Sequence, residues 1–342
     1  MKIMSHKYIF RSAIMALTIF SAAAISSGCD RLEENLPECE QGLRLRFTYT
    51  WNMEFANAFP SQVDCLTLYV YDSDGSLVET RNESTEALSD ESYRMEIDLP
   101  DGDYTLVAYG GMNCQETSFE HNPAPTAGSL LSTLTTELKP GLLTAPEGRR
   151  LHNLFYGRKE VKVVTKTNQY VEETIDMMRD TNNLRVMLQH VDGTPVDDKD
   201  FKFIVKDNNT AMAWDNSLLP TPEVEYYPWA RGTLPVGVNP GQDGADVTMA
   251  YAEFSLCRLV DGNSPQLLIT KVDNDDIVID LPLLNYLVAS KSEQYNKMPD
   301  QEYLDRQHDW NMTFFLDSGL RWVYVEIKVL DWVVRINNNI EL

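Results

Sequence analysis

Gly28 followed by Cys29, at the end of an apolar run, is the pair with the clearest covalent chemistry in this sequence. A small residue directly before a cysteine is what lipoprotein signal peptidase reads, and it cuts once the cysteine sulfur carries a diacylglyceryl group. The preceding residues fit. Lys2, Lys7 and Arg11 make a basic start, and Ser12 to Ile25 is an uncharged, mostly apolar stretch. Such a stretch is a secretory leader too short to span about 30 Å of hydrocarbon. Ser26 stands where the usual pattern has leucine, and Ile25 lies one place early. The expectation is cleavage between Gly28 and Cys29 and a tether at Cys29. Its acyl chains would each contribute about 0.8 kcal/mol per buried methylene.

The other cysteines are Cys39, Cys65, Cys114 and Cys257. In an exported chain they meet an oxidising compartment. Cys39 with Cys114 is the expected bridge, because both flank strand-like segments of the same half. The alternative for Cys65 and Cys257, which sit inside apolar runs, is that they are buried free thiols acting as small hydrophobes.

Catalytic and metal chemistry find little support. His121, His152, His190 and His308 are far apart, and no HExxH or CxxC spacing occurs. There is no Gly-x-Ser-x-Gly elbow, phosphate-cradling glycine loop or dinucleotide fingerprint. Asp72-x-Asp74 with Glu83 has calcium-loop spacing, but Leu77 stands where the turn glycine is needed, so a hairpin turn is the better reading. Asp273 to Asp276 reads as a solvated acidic turn. The net charge of −23 opposes nucleic-acid binding. The chain therefore reads as a non-enzyme with no cofactor, no metal, no nucleic acid and no small-molecule substrate. Trp214, Tyr226, Tyr227 and Trp229 form a candidate aromatic surface for sugar rings or a partner protein; their alternative is packing inside a sandwich.

The elements that would carry these residues are strands. Leu43, Leu45, Phe47 and Tyr49 alternate with Arg44, Arg46 and Thr48, a period of two that places the apolar set on one face. Val63 to Tyr71 ends at Asp74-Gly75, a tight turn. Tyr93 to Leu99 stops at Asp101-Gly102 and resumes as Tyr104 to Tyr109. Residues 122–150 read as a long connection with a short helix at Ser129 to Leu138. Asp180, Thr181, Asn182 and Asn183 read as turn-forming residues. Further short strands follow, with a helix after Pro282 carried by Leu283, Leu284, Leu287 and Val288. A last strand from Arg321 to Ile336 is broken at Asp331. The length suits two domains. The division expected is 1–28 leader, 29–38 linker, 39–178 first domain and 179–342 second domain, all-β with a few short helices.

Six ordered segments carry a family resemblance: "LRLRFTYTWNM" after Cys39, "FPSQVDCLTLYVYDSDG", "LPDGDYTLVAYGG", "LHNLFYG", "DQEYLDRQ" and "VLDWVVR". Together they resemble the fimbrial anchor lipoproteins of Bacteroidales, the FimB/Mfa type. Asp30 to Asn35 likewise resembles the export signal of surface lipoproteins in such bacteria. The resemblance implies two tandem transthyretin-like β-sandwiches, lipid-anchored and surface-exposed on the outer membrane. Such a protein would anchor the base of a pilus and nucleate or terminate its assembly. Stalk subunits of this family lose an N-terminal strand and fill the groove with a neighbour's strand; an anchor is expected to keep Leu43 to Tyr49. It would engage the first stalk subunit by offering Val333, Val334, Arg335, Ile336, Ile340 and Leu342 as a strand, or by a surface patch with that tail completing the second sandwich. The alternative within the same fold is a pilus-tip or surface glycan-binding adhesin.

Overall fold

The computed structural model describes residues 42–84, 86–143, 148–164, 169–239 and 245–338. Gly28, Cys29, Cys39, Ile340 and Leu342 lie outside them. The first half contains β1 (Leu43–Trp51), β2 (Cys65–Tyr71), β3 (Leu77–Ser84), β4 (Met95–Ile97), β5 (Gly102–Gly110), β6 (Phe119–Glu120), β7 (Thr135–Leu138), β8 (Phe155–Val163) and β9 (Val171–Arg179). Seven of these form one sheet in the order β3-β2-β5-β8-β9-β1-β4. β8 and β9 pair only at Phe155↔Arg179 and Tyr156↔Met178, so the sheet folds over at this joint. A Cβ on Gly157 would lie 2.7 Å from Ile175 Cγ2, which is why the crossing needs a residue without a side chain. The two halves enclose Leu43, Leu45 and Phe47 of β1 against Leu66 and Leu68 of β2 and Leu106 of β5.

Every residue of β2 is buried. Its near-continuous apolar run is what a strand covered on both faces requires. Leu66, Leu68 and Val70 face the first core, while Tyr69 and Tyr71 join Tyr109 and Tyr156 in a second cluster continuous with the other sandwich.

The second half contains β10 (Thr181–His190), β11 (Phe201–Asp207), β12 (Ala211–Ala213), β13 (Val224–Tyr226), β14 (Ala230–Asn239), β15 (Ala245–Cys257), β16 (Gln266–Lys271), β17 (Ile277–Pro282), β18 (Asp309–Leu316), β19 (Trp322–Val329) and β20 (Trp332–Asn337). A six-stranded sheet, β14-β15-β10-β18-β19-β20, packs on a four-stranded one, β13-β11-β16-β17. The core between them holds Leu184, Val186, Phe254, Trp310, Phe314 and Ile327 against Phe203, Leu267 and Ile279. The molecule is thus two tandem all-β sandwiches, with a small fourth sheet of three strands, β12-β7-β6, stitching residues of both halves together.

Two local expectations are corrected. Ser129 to Leu138 contains one 3-10 turn, Leu131–Thr133, and then strand β7 instead of a helix. β-Branched threonines at 133, 135 and 136 favour the extended form, and pairing with β6 and β12 satisfies the backbone. Thr181 to Asn183 is also strand and not turn: Asp180 alone separates β9 from β10. The polar side chains are accommodated because the amide of Asn182 donates to Cys257 O and accepts from Trp310 Nε1. The helix Leu283–Ala289 follows Pro282 as expected, with Leu283, Leu284 and Leu287 buried.

Candidate functional site

β1 lies in the interior of its sheet, parallel to β9 along its length and antiparallel to β4 at Leu43 to Leu45. Its alternate residues Leu43, Leu45, Phe47 and Tyr49 are no more than 4% exposed. The end of the strand is fastened from two directions. Asp176 on β9 accepts from Thr48 Oγ1 at 2.8 Å, from the Thr50 amide at 2.9 Å and from Thr50 Oγ1 at 2.5 Å. From the second sandwich, Arg306 donates to Thr50 O at 3.1 Å. Its guanidinium lies 4.4 Å from the centre of the Trp51 ring and 4.7 Å from that of Phe55. His308 sits beside Tyr49, and burial, helped by the Arg179 cation, holds its imidazole well below the usual pKa, hence neutral.

Arg306 is aimed by the helix Asp300–Arg306, which follows Pro299 and in which Glu302 accepts from Arg306 Nε at 2.8 Å. The Pro299 start and the Glu302–Arg306 spacing mark a helix in the sequence, but no local pattern ties it to β1. Replacing Arg306 by alanine removes a charge-assisted bond to a backbone oxygen and two cation–π contacts. The expected result is a loss of about 1–3 kcal/mol in denaturant unfolding, together with faster proteolytic nicking in residues 52–58.

β20 is one of the two edge strands of the six-stranded sheet, with β14 at the other side. Asn338 N donates to Val323 O, and alternation along an antiparallel ladder then turns the backbone groups of Trp332, Val334 and Ile336 toward β19. Those of Val333, Arg335 and Asn337 point away from it. Ile336 is buried and Trp332 and Val334 are half-buried, whereas Val333 is 54% exposed. Trp332 Nε1 donates to Ser290 O and its ring lies 5.5 Å from that of Tyr295, fixing the start of the strand. Arg335 bonds to Glu326 and stacks on Tyr324, itself stacked on Phe315.

The disulfide joins Cys65 to Cys114, which overturns the expected Cys39–Cys114 pair. Pairing of β2 with β5 sets Leu66 opposite Gly110, and Gly111 N donates to Cys65 O, so the loop after β5 returns Cys114 to the start of β2. Cys257 is a buried free thiol, pushed up to about 12 by burial. Asp64 and His152 lie beside Cys114, but a sulfur held in a disulfide is not a thiolate ligand, so the trio does not make a metal centre. The acidic turn at Asp273 to Asp276 is balanced by Lys271 on Asp276 and Lys202 on Asp275. Asp72 closes its hairpin by accepting from the amides of Asp74 and Ser76.

The four aromatics are not all at the surface. Tyr226 is 1% exposed and donates to Asn209 Oδ1, which takes it off the surface. Tyr227 donates to Glu225, Trp214 stacks with Arg158, and Trp229 stacks with Arg150.

The profile of the fimbrillin-A associated anchor proteins Mfa1 and Mfa2 matches residues 36–338. A candidate adhesin of known structure from Bacteroides thetaiotaomicron is 44% identical, with a TM-score of 0.81 over 89% of this chain and 100% of its own. A candidate polysaccharide-binding protein from the same organism is 30% identical, with a TM-score of 0.74 over 86% of this chain and 98% of its own. The fimbrial anchor protein Mfa2 of Porphyromonas gingivalis shares the fold at 15% identity, with a TM-score of 0.64 over 86% of this chain and 99% of its own. No curated protein matches the chain. With two β-sandwiches in tandem and a profile match along nearly all of the described residues, the chain belongs to the fimbrillin-A associated anchor family, a fimbria-associated, cell-surface class of structural proteins.

Proposed function

We propose that this chain anchors the base of a fimbria to the outer membrane. Residues 1–28 are removed, Cys29 is acylated, and residues 29–38 link the lipid to a first sandwich that closes with β9 and a second that opens with β10. A fimbrial stalk subunit is the protein partner. The observation that carries this reading is the position of β1, which fills the first sandwich from inside its sheet and is gripped at its end by Arg306. With this strand kept, the first sandwich has no vacant groove for a donated strand among the described residues, as befits one end of a polymer and not its middle.

The polarity of the molecule agrees. β1 enters at Leu43 and ends beside the second sandwich, where β10 and β18 start in parallel and run on to His190 and Leu316. At about 3.3 Å per residue, β1 and β10 laid end to end set Leu43 roughly 60 Å from the opposite pole. Replacing Cys29 by serine tests the anchorage. Filaments and this chain should leave together for the culture medium; filaments that stay on cells carrying the serine variant overturn the reading.

A further inference from the structure

We infer that the outer edge of β20 is a capture site for an extended strand of the adjoining fimbrial subunit, which would add to the six-stranded sheet alongside β20 while β20 stays in place. This inference rests on the anchor reading and specifies how the filament is held.

A sheet edge invites pairing unless something blunts it, and the other edges among the described residues are blunted. β4, β6, β12 and β13 have three residues or fewer. β3 carries Glu79, Arg81 and Glu83, and its first residue is already bonded to Gly128 and Ser129. β14 is broken by a register shift between Pro235 and Gly237. β17 pairs across a register shift and closes with Pro282. β20 has six residues, no proline and no shift against β19. Among the described residues, the main chain of Val333, Arg335 and Asn337 bonds to no other segment.

The chemistry of this edge selects its occupant. Outward amides and carbonyls at alternate positions are matched by the backbone of an extended strand, not by a helix or a side-chain patch. An added strand would place one face over the half-buried Trp332 and Val334, so that face should be apolar. Its other face would lie beside exposed Val333 and the Arg335–Tyr324–Phe315 stack, where polar residues are tolerated. β20 runs toward the pole opposite the start of β1, because Asn337 pairs with Tyr324 near the end where Leu316 meets Trp322. A strand lying on it would lead the filament away from the membrane.

The test is Val333→Pro in the full chain. Its ring removes an outward donor and occupies the space of an incoming strand, while the bonds of Trp332, Val334 and Ile336 to β19 remain. The probe is fimbrial filaments collected from cells that lack this chain. Binding should weaken at least tenfold with the melting temperature held within a few degrees, and on cells the variant should stay in the membrane while filaments are shed alone. That outcome differs from failure of the anchor reading, in which the Cys29 variant releases nothing. Arg335→Pro repeats the test one step along the strand. Hydrogen exchange at the Val333, Arg335 and Asn337 amides of the unaltered chain needs no variant, and those amides should become protected when filaments are added. Unchanged binding by a folded proline variant, absence of protection, or protection from self-association of this chain alone would overturn the inference.

Discussion

Replacing Arg258 by methionine is expected to destabilise the protein by about 3–5 kcal/mol, because it strands buried carboxylates. Arg258 sits just beyond β15 and donates to both oxygens of Asp305 at 2.9 Å. It also donates to Asn216 O, and it lies 3.7 Å from Asp180. Asp180 is the single residue between the two sandwiches; it is fully buried and is otherwise held by Asn216 Nδ2 at 2.9 Å. Burial pushes its carboxyl up to about 7 against the pull of Arg258. The folded state therefore keeps this proton after the unfolded chain has released it. Stability contributed at this site falls as pH rises from about 4 through 7, and the loss is complete above that. Asp180→Asn should consequently become more stabilising relative to wild type across the same window. In the Arg258→Met background it should recover part of the loss. Urea titrations of the four variants at pH 5 and 8 measure both effects, and equal losses for Arg258→Met with and without Asp180→Asn would show that the two side chains are not coupled.

How much of this was legible in the sequence depends on whether the controlling interaction was local. The alternation of Leu43 to Tyr49 fixes which face of β1 is buried, and the structure has that face. The turn at Asp72 to Gly75 is written in side chains that bond to their own neighbours, so it too was readable. By contrast, Thr181 to Asn183 looks like a turn in isolation and is strand because β15 and β18 bracket it, a tertiary override of local preference. The grip on β1 was hidden for the same reason: Arg306 and Thr50 are 256 residues apart, and no periodicity joins them. The openness of the β20 edge is likewise a property of sheet order. Val333 to Ile336 could be picked out as a strand, but not as the edge left unblunted.

Converting both Cys65 and Cys114 to alanine is expected to cost the fold about 4 kcal/mol, the chain-entropy value for a loop whose ends are 49 residues apart. The first sandwich should melt about 10 °C lower. The double replacement is the informative one, since a single change leaves a thiol free to pair with another cysteine. Alanine suits Cys65, which is 3% exposed at the start of β2. The sequence offered both residues but not their pairing, because only the β2–β5 register brings the loop after Gly110 back over Cys65. The consequence is local as well as global. Cys114 belongs to the segment that runs from Met112 to Ser118 beside Asp64 and His152, so losing the bridge should raise hydrogen exchange in that loop first. Reduction of the native protein should reproduce the double variant's melting temperature. Equal melting of oxidised and reduced protein would mean that the β2–β5 pairing holds this corner without help from sulfur.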